Sequence, residues 1–134
     1  MYLIDTNIFL EILLDQKRAS DCVTFLERVR DGSVQGYVTS FSIHSVEVIL
    51  DRFKKLDVLE MFLEDLSMFT SLEVINTYIS DEVKIVKSIS KIGLDFDDSL
   101  QYYVAKKRAL QLVSFDEDFD KTDLQRIDPA QIIG

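Results

Sequence analysis

The sequence predicts an α/β fold: a three-layer α/β/α sandwich around a central, mostly parallel sheet of four or five short strands. Short apolar or β-branched segments alternate along the chain with longer segments whose apolar residues recur at helical spacing. Such alternation is typical of a parallel sheet flanked by helices. The chain has 134 residues, with no linker-like composition and no internal repeat, so residues 1–134 are expected to form a single domain.

The predicted strands are all short. They are residues 2–4, 36–39, 72–75, 111–115 and 125–127. The predicted helices lie between them, at residues 6–14, 18–31, 41–55, 56–69, 80–92 and 97–109. Gly32, Gly36 and Gly93 fall at predicted helix ends or loops, which agrees with these boundaries.

Helical spacing supports the longer elements individually. Phe25, Leu26 and Val29 recur at this spacing in the second helix, as do Val83 and Val86 in the fifth. No strand separates the third helix from the fourth, so residues 41–69 are expected to form a two-helix hairpin. Its many apolar residues lead us to expect burial against a second copy of the chain, giving a homodimer.

Composition excludes several classes of protein. Hydrophobic residues make up 47% of the chain, which argues against disorder, and no apolar run approaches the roughly 20 residues needed to span a bilayer. The amino terminus lacks the basic and apolar regions of a signal peptide, so a cytoplasmic location is expected. The single cysteine, Cys22, cannot form an internal disulfide, and its helical context predicts a core residue.

The charge balance is acidic. The chain has 24 Asp and Glu against 15 Lys and Arg, and the resulting net charge of -9 by itself repels nucleic acid. A bound divalent cation would reverse the local sign wherever several of the carboxylates converge. The basic runs Lys54–Lys55 and Lys106–Arg108 could contact phosphates, although a solvated helix face is the better explanation of either run alone.

Two acidic residues directly follow predicted strands. Asp5 follows the apolar residues 2–4, and Asp116 follows residues 112–115. The carboxyl ends of strands are where open α/β sheets bind their ligands. Helix capping offers another explanation for each residue, because Asp5 could cap the helix that begins at Thr6 and Asp116 could cap a short turn that begins at Glu117.

Two further acids belong to predicted helices. Glu47 shares a helical stripe with Val46 and Leu50, so its carboxylate is expected on the face that meets the core. A glutamate at the edge of that stripe, reaching water along its stem, explains the pattern equally well. Asp98 lies in the first turn of a helix, where capping accounts for one of Asp97 and Asp98 but not for both.

As a set, Asp5, Glu47, Asp98 and Asp116 predict a site for a cation that prefers oxygen ligands. Mg²⁺ or Mn²⁺ fits such a site, whereas zinc would require Cys and His residues that the chain does not supply. The one histidine, His44, is interpreted as a helix-surface residue. Because paired histidines are excluded, the remaining hydrolytic chemistry is attack by water assisted by metal ions.

Four segments resemble, in order and spacing, the acidic motifs of the PIN domain family: residues 3–7, 45–47, 93–100 and 113–119. The chain is similar in particular to the small ribonucleases typified by the VapC toxins of prokaryotic toxin-antitoxin pairs, and the resemblance extends from end to end. No single motif is specific, but the ordered set is. Ser114 stands where the family often has Thr, and Asp98 fits the third motif better than Asp97.

The resemblance implies an endoribonuclease that uses Mg²⁺ or Mn²⁺ and leaves 5′-phosphate and 3′-hydroxyl ends on RNA. Asp5, Asp98 and Asp116 would bind metal, directly or through water, and Glu47 would bind a second ion or orient the attacking water. The implied supporting residues are Asp118, as a weaker candidate for the outer shell, and Thr6 or alternatively Ser114, as hydrogen-bond donors to Asp5 or to the scissile phosphate.

The resemblance also implies a partner if the chain is a toxin: a small antitoxin that blocks the acidic pocket. An RNA-processing nuclease of the same family would have no antitoxin, and a catalytically silent PIN-fold interaction module would bind no Mn²⁺. A receiver-like domain is disfavoured, because no predicted middle strand ends in Asp and no Lys follows a late strand. Asp5→Asn or Asp98→Asn is expected to abolish cleavage, preserve folding and raise thermal stability.

Overall fold

The computed structural model describes residues 1–134, and its centre is a parallel sheet of four strands. These strands are β1 (Tyr2–Ile4), β2 (Gly36–Thr39), β3 (Leu72–Ile75) and β4 (Gln111–Val113), in the order β3-β2-β1-β4. β1 is central and pairs with both β2 and β4, with Ile4 opposite Val113. The predicted fold class is confirmed.

Seven α-helices surround the sheet. They are α1 (Thr6–Leu13), α2 (Ala19–Arg30), α3 (Ser40–Arg52), α4 (Leu56–Leu66), α5 (Ile79–Ile92), α6 (Phe96–Arg108) and α7 (Pro129–Ile133). A 3-10 helix, Glu117–Lys121, follows β4. The six predicted helices are all present, with ends that differ from the predicted bounds by up to three residues. Gly93 ends α5 in the left-handed conformation (φ 79°), which favours glycine.

The alternation of side chains along the strands divides the core into two layers. Ile4 and Val113 pack with α1, α2 and α3 on one face of the sheet, where Cys22 is fully buried as predicted. Leu3 and Leu112 pack with α5 and α6 on the other face. The result is the α/β/α sandwich that the sequence predicted.

The structure differs from the sequence prediction at the carboxyl-terminal end. β4 ends at Val113 instead of residue 115, because the backbone N–H of Phe115 donates to the side chain of Asn7 instead of a strand. The strand predicted at residues 125–127 is reduced to a single parallel bridge between Val113 and Ile127. α7 was not predicted. It lies against α2, where Arg28 donates hydrogen bonds to its last carbonyl groups.

None of the helices combines the length and the apolar character that crossing a bilayer requires. The predicted hairpin of residues 41–69 is present as α3 and α4, which contact each other and are joined through Phe53–Lys55. α4 has no fully buried residue, but Phe62 packs edge-on against Phe9 of α1 with ring centroids 5.4 Å apart. The hairpin therefore lies along the first core layer.

Candidate metal centre

Two neighbouring strands bring Asp5 and Asp116 to the same edge of the sheet. Asp5 directly follows β1, and its backbone N–H donates to the carbonyl of Val113 at the end of β4 (3.0 Å). Asp116 lies three residues beyond Val113. Because β2 lies on one side of β1 and β4 on the other, this edge is the topological switch point of the sheet, where open α/β sheets form their binding crevice.

Asp5 is held rigidly in a buried position. Its side chain is 6% exposed and accepts hydrogen bonds at both oxygens. The donors are the backbone N–H of Thr6 (2.8 Å) and the Gln101 amide (3.3 Å) at Oδ1, and the Ser114 hydroxyl (2.7 Å) and the Asn7 amide (3.3 Å) at Oδ2. Burial raises the pKa of Asp5, whereas the hydrogen bonds from Ser114, Thr6 and Gln101 oppose that rise.

Three other carboxylates converge beside Asp5, and we call Asp98, Asp116 and Asp118 the acid cluster. One oxygen atom from each of the three lies within 4.8 Å of the others. Asp98 comes from the first turn of α6, and Asp118 from the 3-10 helix, where its backbone N–H donates to Asp116 Oδ1 (2.9 Å). Capping does not explain Asp98, because Asp95 is the residue that caps α6.

Asp98 retains its proton to unusually high pH. Burial, a hydrogen bond with Asp116 and repulsion from the charge of Asp116 raise the pKa of Asp98 from 3.8 to about 8. Two carboxylates at hydrogen-bond distance cannot both be ionised at low cost, so they share one proton. Near neutral pH this edge of the sheet therefore carries negative charge, because Asp98 and Asp116 form no ion pair with a Lys or Arg and only the exposed Asp118 pairs with Lys121 (3.4 Å).

The donor set of the acid cluster fits Mg²⁺ or Mn²⁺. It contains only carboxylate oxygens, which are hard ligands, and no Cys or His takes part. Ligands on opposite sides of an octahedral Mg²⁺ lie about 4.2 Å apart. Adjacent ligands lie about 3 Å apart, so the three carboxylates, whose oxygens lie within 4.8 Å of one another, would have to move closer together to bind one ion directly.

Glu47 lies apart from these carboxylates. Its side chain is 33% exposed and hydrogen-bonds to His44 Nδ1 at 2.8 Å, at the edge of the α3 stripe instead of its core-facing centre. Of the two explanations that the sequence left open for Glu47, the structure shows the position at the edge of the stripe, from which the long side chain reaches the helix surface. His44 is 71% exposed, as expected of a helix-surface residue. Asp97 is also exposed and outside the acid cluster.

A buried polar network behind Asp5 was not predicted. Gln101 of α6 is 2% exposed, and its amide nitrogen donates to both Asp5 and Ser42, while its Oε1 has no partner. Ser42 in turn meets the hydroxyls of Thr6 (2.9 Å) and Thr39 (3.1 Å). Ser114 thus bonds to Asp5 as expected, whereas the hydroxyl of Thr6 turns to Ser42. The available signal for Gln101 was a polar residue one turn beyond Asp98.

The arrangement of carboxylates agrees with a comparison at the level of protein families. The model of the PIN domain matches residues 2–124 of the chain. The chain belongs to the PIN domain family. This confirms the resemblance that its four acidic segments indicated, and the match includes every acid of the candidate metal centre. No curated protein matches the chain at a significant level.

Solved structures of similar fold include VapC proteins. VapC20 from Mycobacterium tuberculosis, described as a toxin that cleaves the sarcin-ricin loop, has a TM-score of 0.77 at 13% identity, over 95% of this chain and 98% of that one. A toxin-antitoxin complex from Klebsiella pneumoniae gives 0.69 at 19% identity, over 96% and 98%. VapBC2 from Rickettsia felis, bound to promoter DNA, gives 0.68 at 18%, over 95% and 97%. These similarities establish that this PIN domain has the VapC fold.

Proposed function

We propose that this PIN domain is a metal-dependent endoribonuclease and the toxin of a toxin-antitoxin pair. The observation that carries the proposal is the acid cluster beside Asp5. In this cluster Asp98 and Asp116 share a proton, and neither forms an ion pair with a basic residue. A stable fold has no need of such a cluster, because uncompensated repulsion destabilises it. A divalent cation is the species that would compensate this charge.

The proposed roles follow from the environment of each carboxylate. Asp5, fixed by four donors, would set the position of the site, while Asp98 and Asp116 would hold the cation in place of their shared proton. The bound cation would supply an activated water and balance charge on the phosphate. We propose Asp118 as an outer ligand. Glu47 would act on a second ion or the attacking water only after releasing His44.

The direct test is incubation of the protein with end-labelled RNA in Mn²⁺, in EDTA, and after the substitution Asp98→Asn. We expect fragments with 5′-phosphate and 3′-hydroxyl ends only for the unsubstituted protein with metal. The matched control is Glu60→Gln, which removes one charge from the exposed surface of α4 and should leave cleavage unchanged. Undiminished cleavage in EDTA, or by the Asp98→Asn protein, would contradict the metal mechanism.

An apolar groove supports an antitoxin as a partner of the proposed toxin. It encloses about 570 Å³ between α1, α2 and α4, and 11 of its 15 lining residues are hydrophobic. Met61 at its edge is 70% exposed. The charged residues of its rim are Glu27, Glu64, Asp65 and Arg30, and Arg30 already pairs with Asp65 at 3.2 Å. An amphipathic helix with basic flanking residues would complement this surface.

The test of the antitoxin uses the short reading frame that is expected beside the gene. We expect its product to co-purify with the protein and to inhibit cleavage. Met61→Glu should weaken that association, whereas Val86→Glu, the same change at an exposed site on α5 (59%), should not. If both variants bind the product equally well, the groove is not its docking site. An enzyme that cleaves RNA without any such partner would instead be an RNA-processing nuclease.

The homodimer and the cytoplasmic location remain proposals. Apolar side chains are exposed where α3 meets α4, with Phe53 at 60% and Leu56 at 58%. These residues support the expectation that the α3–α4 hairpin contacts a second copy of the chain. Light scattering at micromolar concentration should give twice the mass of the chain, and Phe53→Glu should reduce the measured mass to that of a single chain. A monomer in both cases would contradict the proposal.

A further inference from the structure

A cleft between α5 and α6 carries an unusual concentration of positive charge for so acidic a protein. It encloses about 470 Å³, and we call it the lysine–tyrosine cleft. No carboxylate is among its lining residues. The residues that matter for its chemistry are Lys84 and Ser88 from α5, and Tyr102, Tyr103, Lys106 and Lys107 from α6.

Ordinary structural roles explain only part of this charge. Lys106 and Lys107 lie in the last turn of α6, where cations are favourable, and each forms an ion pair, with Asp123 (2.9 Å) and Asp81 (3.0 Å) respectively. Lys84 of α5, which lines the cleft, has no such explanation. It lies away from the last turn of its helix, and no carboxylate lies within 4.0 Å of it.

The cleft and the candidate metal centre both include residues of α6. Tyr102 and Lys106 follow Asp98 by one and two turns on the same side of α6, so Lys106 lies about 12 Å along the helix from the acid cluster. Both residues bond to Asp123, two positions beyond the 3-10 helix that carries Asp118. A strand that reached the acids could therefore extend along α6 into the cleft.

We propose that the lysine–tyrosine cleft binds the phosphate backbone of an RNA strand next to the bond that is cut. This inference rests on the proposed function, since it takes RNA as the ligand of the same surface. Lysines contribute the sequence-independent part of nucleic-acid affinity, and partly exposed tyrosine rings between them offer surface for a base or sugar. The cleft thereby supplies the attraction that a net charge of -9 denies to the rest of the protein.

The test measures RNA binding without cleavage. Anisotropy of a fluorescein-labelled single-stranded RNA is followed in EDTA, across about 50 to 200 mM salt. Two variants remove two lysines each: Lys84→Gln/Lys106→Gln in the cleft, and Lys54→Gln/Lys55→Gln at the junction of α3 and α4. Both reach the same net charge, so nonspecific electrostatics affects them equally. Thermal melts verify folding, and Lys84→Gln alone provides a cleft variant that breaks no ion pair.

We expect the cleft variant to bind about tenfold more weakly at low salt, and the slope of log Kd against log salt to fall by about 1.4, because two phosphate contacts are lost. The junction variant should change affinity less than about twofold. Equal effects of the two variants, or none, would overturn the proposal. So would a glutamate-rich peptide that binds the cleft as tightly as RNA, because the surface would then recognise an acidic protein.

Cleavage assays separate this inference from the proposed function. With Mn²⁺, the cleft variant should show a raised KM and an unchanged kcat, because the lysines hold the strand and do not reach the acid cluster. If Mn²⁺-dependent cleavage occurs and the variant keeps both parameters, only the cleft inference fails. If the protein binds RNA through the lysines and never cleaves it, the proposed function fails, and of the inference only RNA binding in the cleft stands.

Discussion

Replacing Asp98 with Asn should stabilise the metal-free protein while abolishing its activity. The reason is that Asp98 pays an electrostatic cost in the folded state, where burial and Asp116 raise its pKa from 3.8 to about 8. Asparagine is nearly the same size, carries no charge and can donate to Asp116 the hydrogen bond that the protonated carboxyl makes. The substitution therefore removes repulsion and keeps the geometry.

The size of the effect follows from the pKa of Asp98. One pKa unit corresponds to about 1.4 kcal/mol, so a rise from 3.8 to about 8 sets a ceiling of about 6 kcal/mol at high pH. Asp98 is only partly buried and its proton is shared with Asp116, so solvent screening reduces the ceiling substantially. We expect a gain of about 1–2 kcal/mol, or about 3–7 °C in Tm for a chain of this length.

The gain should depend on pH with a definite sign. A carboxyl whose pKa is raised on folding contributes stability at pH values below its unfolded pKa, and that stability is lost as pH rises through its folded pKa. For Asp98 the loss occurs between about pH 4 and pH 8. Asp98→Asn should therefore match the unsubstituted protein near the acid end of this window and exceed it at the alkaline end.

Thermal melts followed by circular dichroism in EDTA, at several pH values across this window, measure the effect. Glu60→Gln is the control for loss of one negative charge, and it should leave Tm unchanged. Adding Mn²⁺ near the alkaline end should raise the Tm of the unsubstituted protein and narrow its difference from the Asp98→Asn protein. A gain that is absent, or equal at all pH values, would refute the argument that Asp98 is destabilised by charge.

Three further predictions concern the same centre. Asp5→Asn should abolish cleavage but lower stability, by about 1–3 kcal/mol in the same melts, because an amide cannot accept from all four donors around Asp5. Mn²⁺ affinity by calorimetry should rise as pH increases towards about 8, because Asp98 must release its proton; a flat profile would contradict this. Gln101→Leu should weaken Mn²⁺ binding about tenfold while the melts shift little, because one donor to Asp5 is lost but Gln101 Oε1 is already unsatisfied.

These expectations for Asp5 and Asp98 differ, whereas the sequence alone predicted higher stability for both substitutions. Both residues follow the same sequence logic, an acid at a strand exit or a helix start. The difference lies in their partners, which the sequence does not give. Asp5 is surrounded by donors from three separate segments of the chain, while Asp98 faces another carboxylate.

The fold was predictable because its signals are local. Each of the four strands is a short apolar segment, and the acids Asp5 and Asp116 directly follow β1 and β4, so parallel pairing alone brings them to one edge. α7 was missed because five residues are too few to show helical periodicity. Residues 125–127 do not form a strand, because a single bridge between Ile127 and Val113 is their only pairing with the sheet.

The supporting residues were less predictable than the acids. Ser42 and Gln101 are ordinary helix residues in the sequence, and only the packing of α3 against α6 over the end of β1 makes them partners of Asp5. Glu47 is the opposite case, because the sequence placed it in the candidate site and the structure leaves it outside the acid cluster. Its position on the α3 stripe was read correctly, but periodicity fixes the Cβ direction, and a flexible glutamate can still turn its carboxylate towards His44.

The contrast between Asp5 and the acid cluster explains how one sheet edge can be both stable and ready for a cation. Asp5 contributes fixed geometry, since its hydrogen bonds are satisfied without metal. In the proposed function, Asp98 and Asp116 would contribute affinity, since a divalent cation would displace the single proton that limits their charge. The shared proton of Asp98 and Asp116 is lost as pH rises, and in the proposed function a divalent cation would then take its place. Neutralising the cluster permanently with a lysine would stabilise the fold and remove the reason for a cation to bind.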